Sequence, residues 1–341
     1  MHVEIFTGDL PDEWDRFVES CETACPYQAS AWKSVSQETY GLSPYYLAVE
    51  EEADIAGVLP AFHMKSVLFG SSLTSLPFLT YGGVCARTPR GAAALVSKAT
   101  ELARNLRAPL ELRHTSAQKL NLPSLQHKVS MVMEVETDEG AMWNALRSEI
   151  RNRIRKAQKL GVEVVEGGEE LVPGFYEVFA ENMRDLGSPV HKQAFFTNML
   201  RLAPDQVSLV CAKIDGQVVG GGNTVSFGKG VEMPWASALR RFSKCAPNNA
   251  VYWHAIAKAC RDGRVTFDFG RSTPGSGTFE FKRRWGAKPM QLYWQRATDN
   301  IDEAVSSGHG QAFRAAEWLW KRMPISVTKI MGPPLRRGIS L

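Results

Sequence analysis

Residues 207–227 read VSLVCAKIDGQVVGGGNTVSF, and this stretch decides the fold. Two apolar runs, 207–214 and 217–227, flank Asp215-Gly216, a dipeptide that favours the tight turn of a β-hairpin. Downstream, 231–237 reads as a third strand, 248–261 as a helix stopped by Asp262-Gly263, and 265–270 and 289–294 as closing strands. Upstream lie three helical stretches, 139–160, 174–186 and 192–202.

The first half of the chain repeats that order. Apolar runs at 45–50 and 55–64 surround an acidic turn and are followed by an apolar run at 73–84 and a helical stretch at 90–106. Strands at 109–113 and 129–136 close the module, and helices at 12–22 and 29–40 precede it. A repeat roughly half the chain long implies a duplicated α/β domain with mixed sheets, since solenoid periods are much shorter. The expected division is 1–137, 138–298, and a C-terminal helix with a basic Pro/Gly-containing tail over 299–341. Two similar domains normally leave a cleft, which makes the interdomain groove the default place for a substrate.

Composition narrows the function class. The 341 residues are 44% hydrophobic and 22% charged with a net charge of +4, ordinary globular material rather than a dedicated nucleic-acid binder. The N-terminus has neither the basic segment nor the apolar run of a secretory signal, so a cytoplasmic location is expected. The most apolar window, 67–84, is broken by Gly70, Ser71, Ser72, Thr74, Ser75 and Pro77 and reads as a buried strand and loop rather than a membrane span. That leaves peripheral membrane association compatible with the sequence. Six scattered cysteines and seven histidines form no ligand pairs, so reduced thiols, no metal and no cofactor are expected.

Three groups of residues are candidates for chemistry. In 139–160, Arg147, Arg151, Arg155 and Lys159 follow four-residue steps and form a basic stripe, while Ile150, Ile154 and Ala157 fall on another face. The stripe suits a phosphate-rich ligand, because guanidinium forks match phosphate oxygens; the competing reading is a solvated helix end. The second group is Asp268-Phe269-Gly270-Arg271, then Gly275, Gly277 and Phe279 through Gly286, including Phe281, Lys282 and Arg283. A strand ending in a glycine-rich loop brings backbone amides and cations to a ligand, and Lys282 is the candidate to stabilise an oxyanion or phosphate, against a plain surface lysine. The third is Gly220-Gly221-Gly222 beside the 231–237 strand, which equally marks a bulge or a close backbone approach. Residues 239–249 hold no glycine where a coenzyme A acetyltransferase needs its phosphate loop, although Arg240, Arg241 and Lys244 remain there for phosphate.

These residues resemble the Fem family of aminoacyl-tRNA-dependent peptidyltransferases, which have two tandem acetyltransferase-like (GNAT-type) domains. The likeness rests on 150–157, Trp235-Ala236-Ser237, Pro247-Asn248-Asn249, Asp268-Phe269-Gly270 and 281–286, with Tyr27-Gln28, Trp32 and Tyr81-Gly82-Gly83 in the first half. It looks closest to the Fem-like proteins found with exosortase (PEP-CTERM) exopolysaccharide systems. By that resemblance Phe281 and Lys282 border the reacting carbonyl. The residue patterns and the matched motifs together make Tyr81, Arg151, Arg155, Lys159, Trp235, Arg240, Arg241, Asn248, Arg271 and Arg283 candidate substrate or phosphate contacts. The family's phosphate-binding lysine, four positions after the tryptophan, is here Ser36, with Lys33 beside Trp32 instead. The implied reaction moves an aminoacyl group from charged tRNA, without coenzyme A, onto an amine of an envelope or exopolysaccharide precursor. Two alternatives stay open: an N-acyltransferase using an acyl-thioester of coenzyme A or carrier protein, and a non-catalytic RNA- or polyanion-binding protein.

Overall fold

The computed structural model describes residues 1–52, 54–297 and 311–340. The chain divides into two compact units, Met1–His127 with Gln291–Ala315 and Pro334–Leu341, and Lys128–Met290 with Ala316–Pro333.

The first unit contains β1 (Val3–Phe6), α1 (Glu13–Ser20), α2 (Ser30–Tyr40), β2 (Ser43–Glu51), β3 (Asp54–Ser66), β4 (Gly70–Thr74), β5 (Cys85–Ala86), α3 (Pro89–Asn105), β6 (Leu110–His114) and β7 (Ser124–Leu125). Its sheet runs β1-β2-β3-β4-β6-β15-β7, where β15 is Tyr293–Ala297, and β5 lies beside β3. Thr88 caps α3 by accepting from the Gly91 amide, and Pro89 supplies the preset first turn. Leu95, Val96 and Ala99 of that helix pack on Leu47, Leu59 and Leu110 of the sheet.

The second unit contains β8 (Val129–Glu134), α4 (Glu139–Ala145), α5 (Ser148–Lys159), β9 (Glu163–Gly167), α6 (Val172–Leu186), α7 (Gln193–Leu202), β10 (Val207–Ile214), β11 (Gln217–Phe227), β12 (Gly230–Ala238), α8 (Pro247–Arg261), β13 (Thr266–Ser272), α9 (Gly277–Arg284) and β14 (Lys288–Gln291). Its sheet order is β14-β8-β13-β12-β11-β10-β9. The β10–β11 turn has φ of 49° at Asp215 and 77° at Gly216, the paired positive values of the expected hairpin. Helix α8 carries the chain across from β12 to a parallel β13. Ile150, Ile154 and Ala157 of α5 join Val251, Ala255 and Phe267 in the core, as their shared helix face requires.

Several expectations need correction. The 129–136 strand, expected to close the first module, pairs with β13 in the second sheet. The 289–294 run splits, so that β14 lies in the second sheet and β15 pairs with β6 in the first. Alternation of apolar residues marks a strand but not its partner, which long-range packing selects. The 139–160 helix breaks at Leu146 and Arg147, whose extended ψ values of 144° end α4 and begin α5. Val67, Leu68 and Phe69 are exposed at the β3–β4 turn rather than buried. Segment 279–285, for which the sequence reading gives no element, is mostly α9, capped by Ser276, which accepts from the Phe279 amide. Residues 298–310, where the 299–341 region begins, lie outside the described residues; the rest of it carries α10 (Gln311–Trp320) and α11 (Ile325–Arg337). Among the described residues no helix is long and apolar enough to cross a membrane.

Candidate active site

The two parallel strands of the second sheet share only a short paired stretch. Pairing of β12 with β13 covers Gly230↔Thr266, Val231↔Phe267 and Glu232↔Asp268, after which β12 carries an irregularity against β11. Gly270 lies beyond the last pair with φ of 74°, a left-handed backbone that glycine adopts without strain. Helix α9 then brings Lys282 back over this point. Its Nζ donates to the carbonyls of Gly270 and Arg271, each at 2.9 Å.

Lys282 is only 8% exposed, and the buried carboxylates Glu232 (3%) and Asp268 (7%) belong to the same cluster. Burial disfavours the ammonium and pushes its pKa from 10.5 down to about 8, although the charges of Asp268 and Glu232 pull it up again. Asp268 accepts from Ser130 Oγ at 2.6 Å and from the Gly270 amide at 2.7 Å. A cation with a lowered pKa thus shares a buried cluster with two carboxylates just past the paired stretch of β12 and β13. Such a group can supply charge to an oxyanion and a carboxylate to take up a proton. Lys282 is therefore no surface lysine. Asp268 heads the second candidate group in the sequence but is given no role there, and Glu232 and Ser130 are not assigned as site residues.

The remaining candidates are dispersed. Phe281, half-buried, packs against Tyr252 at 5.5 Å between ring centroids. Arg271 belongs to the lysine cluster, whereas Arg283 pairs with Glu280 at 2.6 Å on the exposed side of α9. Trp235 meets Phe195 edge to face at 5.2 Å, and Phe195 stacks on the buried His191 at 4.5 Å. Asn248 lies in the first turn of α8 with its Oδ1 buried and unpartnered. Arg240 and Arg241 face Asp185 and Glu181 of α6 at 3.7 and 2.6 Å. In the first unit Tyr81 is buried against Tyr27, and Lys33 is buried with its Nζ donating to the Gly8 carbonyl. Gly221 and Gly222 serve close packing: a Cβ there would lie 2.9 Å from Phe175 and from Met233 respectively.

The basic stripe on α5 divides in two. Arg151 donates to the carbonyls of Asn144 at 2.9 Å and Leu146 at 2.8 Å, satisfying the end of α4. Arg155 and Lys159 are exposed, Arg155 lying 5.3 Å from the Trp143 ring centroid. Charge reversal at Arg151 is expected to destabilise the second unit by on the order of 1–2 kcal/mol in denaturant melts. Reversal at Arg155 is expected to leave the melt unchanged while weakening binding of a phosphate polymer and flattening its salt dependence. Unchanged polyanion affinity would return the stripe to a solvated face.

Residues 240–245 form a 3₁₀ turn leading to Ala246, whose φ is 54°. Phe242 N donates to Leu239 O, Ala246 N to Ser243 O and Asn249 N to Ala246 O, so these amides are spent within the turn.

Residues 144–283 match the acetyltransferase (GNAT) domain family. No curated protein sequence matches the chain significantly. Among solved structures it is similar to FemX, at 14% identity and a TM-score of 0.71 over 89% of this chain and 100% of that one. It is also similar to L-PGS from Bacillus licheniformis (8% identity, TM-score 0.57, 92% and 98% covered). A tandem GNAT protein from the clavulanic acid biosynthesis pathway matches at 12% identity and a TM-score of 0.53, with 88% and 100% covered. At these identities the likeness establishes fold. The chain is a tandem pair of GNAT-type folds and carries a GNAT acyltransferase domain at residues 144–283.

Proposed function

We propose that the chain transfers an aminoacyl group, donated as an ester by charged tRNA, onto the amine of an envelope or exopolysaccharide precursor. The observation that carries this reading is the 239–246 segment, which holds no glycine and whose Leu239, Phe242 and Ala246 amides are bonded to backbone carbonyls rather than left for a coenzyme A pyrophosphate. The amine attacks the ester carbonyl, the Lys282 ammonium stabilises the developing oxyanion, and Glu232 or Asp268 receives the proton that the amine sheds; the ester C–O bond then breaks and the tRNA ribose oxygen leaves as a hydroxyl, taking up that proton. Ester aminolysis is easy enough that positioning and charge suffice without a nucleophilic triad. The Fem-like residue pattern and the fold shared with FemX support the same class of reaction.

The test is donor consumption. Purified protein is incubated separately with charged tRNA and with acyl-coenzyme A over a panel of amines, and products are followed by mass spectrometry. Transfer from charged tRNA alone is expected. Transfer from the thioester alone would replace this reading with the N-acyltransferase one. Binding of tRNA without transfer from either donor would favour the non-catalytic reading.

A further inference from the structure

The first unit holds a pair of thiols that the proposed reaction does not use. Cys21 ends α1 and Cys85 lies in β5, 64 residues apart in sequence, yet their sulfurs are 3.1 Å apart, with Cys85 donating its hydrogen to Cys21. Thr23 Oγ1 lies against both, 3.4 Å from Cys21 Sγ and 3.6 Å from Cys85 Sγ. Cys21 is half-buried, within reach of small solutes, and Cys85 is buried behind it.

We propose that Cys21 and Cys85 form an oxidative modification site, at which a hydroperoxide converts the facing thiols into a reversible disulfide. Closing the bond requires the sulfurs to approach by about 1 Å, toward the roughly 2.05 Å of a disulfide. The chemistry divides between the two residues. Partial burial raises the pKa of Cys21, but hydrogen bonds from Thr23 and Cys85 and the charge of Arg87 outweigh it and hold the thiol below its ordinary range. Burial, and then the hydrogen bond given to Cys21, push Cys85 well up, so it stays protonated. Cys21 thiolate therefore attacks one peroxide oxygen, the O–O bond breaks, and hydroxide leaves a sulfenic acid on Cys21. The Cys85 sulfur then attacks Cys21 Sγ as its proton passes to the departing hydroxide. In sum, with hydrogen peroxide, two thiols and one peroxide molecule give one disulfide and two waters; an organic hydroperoxide would yield an alcohol in place of one water. Cys25 is also near this pair, since its charge bears on Cys85, which makes it the chief competitor as partner.

The experiment uses the full chain, reduced and then given one equivalent of hydrogen peroxide. Free thiols are titrated, and the alkylated digest is searched for linked peptides by mass spectrometry. Loss of two thiols, a Cys21–Cys85 peptide, and recovery by dithiothreitol are expected, with Cys21 reacting at least about tenfold faster than the half-buried Cys245. Cys85→Ser should stop the cross-link and leave Cys21 open to a 1,3-diketone that traps sulfenic acids. Cys25→Ser, which spares the pair, should cross-link like the parent. A Cys21–Cys25 peptide, first reaction at Cys245, or no loss of thiols in a protein that melts normally would each overturn the proposal.

Discussion

Replacing Lys282 with alanine is expected to slow single-turnover transfer by roughly a hundredfold or more at saturating donor, the scale on which one oxyanion donor acts. Stability should fall as well, since the buried ammonium bonds two backbone carbonyls and stands between Asp268 and Glu232 in charge. Lys282→Arg keeps a cation and separates the two effects. With the protonated ammonium as the active form, wild-type turnover relative to Lys282→Arg should decline above pH about 8, as the lysine loses its proton and the guanidinium does not. A flat ratio across that range would show that the charge on Lys282 plays no part in the chemical step. The same shift bears on folding. Because the folded value lies below the unfolded 10.5, this group's contribution is fully present above about 10.5 and is lost as pH falls toward about 8.

The second large effect is expected in the first unit, where Arg113 is completely buried. Its guanidinium donates to Glu111 at 2.7 Å and to the Leu79 carbonyl at 2.8 Å, and lies 4.5 Å from the Trp294 ring centroid. Arg296 reaches the other oxygen of Glu111 at 2.5 Å. Glu111→Ala leaves that guanidinium without its counter-ion and should destabilise the first unit by about 3–5 kcal/mol in denaturant unfolding. Adding Arg113→Met should restore much of the loss, because the uncompensated charge goes with it. A loss below about 1 kcal/mol for Glu111→Ala would mean that solvent already screens the pair. Burial raises the Glu111 pKa, but Arg113 and Arg296 more than reverse it, so its folded value is lowered. This contribution is present above the ordinary 4.5 and is lost as pH falls through the folded value.

Local signals in the sequence carried far. Asp215-Gly216 set the β10–β11 hairpin, and the apolar face of Ile150, Ile154 and Ala157 located α5 in the core. Lys282 was legible as a candidate, but its burial was not, because a lysine in a basic run such as 282–284 carries no mark of the helix that will turn it inward. The same holds for Arg151, whose stripe spacing suits phosphate and whose actual partners are carbonyls one helix back. Leu146-Arg147 gave no breaker residue, and the α4–α5 corner was missed for that reason. Partners across long sequence separations, such as Ser130 with Asp268 or Cys21 with Cys85, leave no local trace at all.

The placement of β8 and β15 bears on how the protein can be made and divided. The sheet of the first unit lacks a strand until residues beyond 290 have left the ribosome, although most of that unit is synthesised first. A nascent N-terminal half therefore waits with one flank of β6 unpaired, exposed to chance pairing throughout synthesis of the second unit. A cut after His127 gives two fragments of which the first has lost β15 and the second holds it idle. An exchange of one half of the chain must carry β15 along with the first unit to keep that unit's sheet whole.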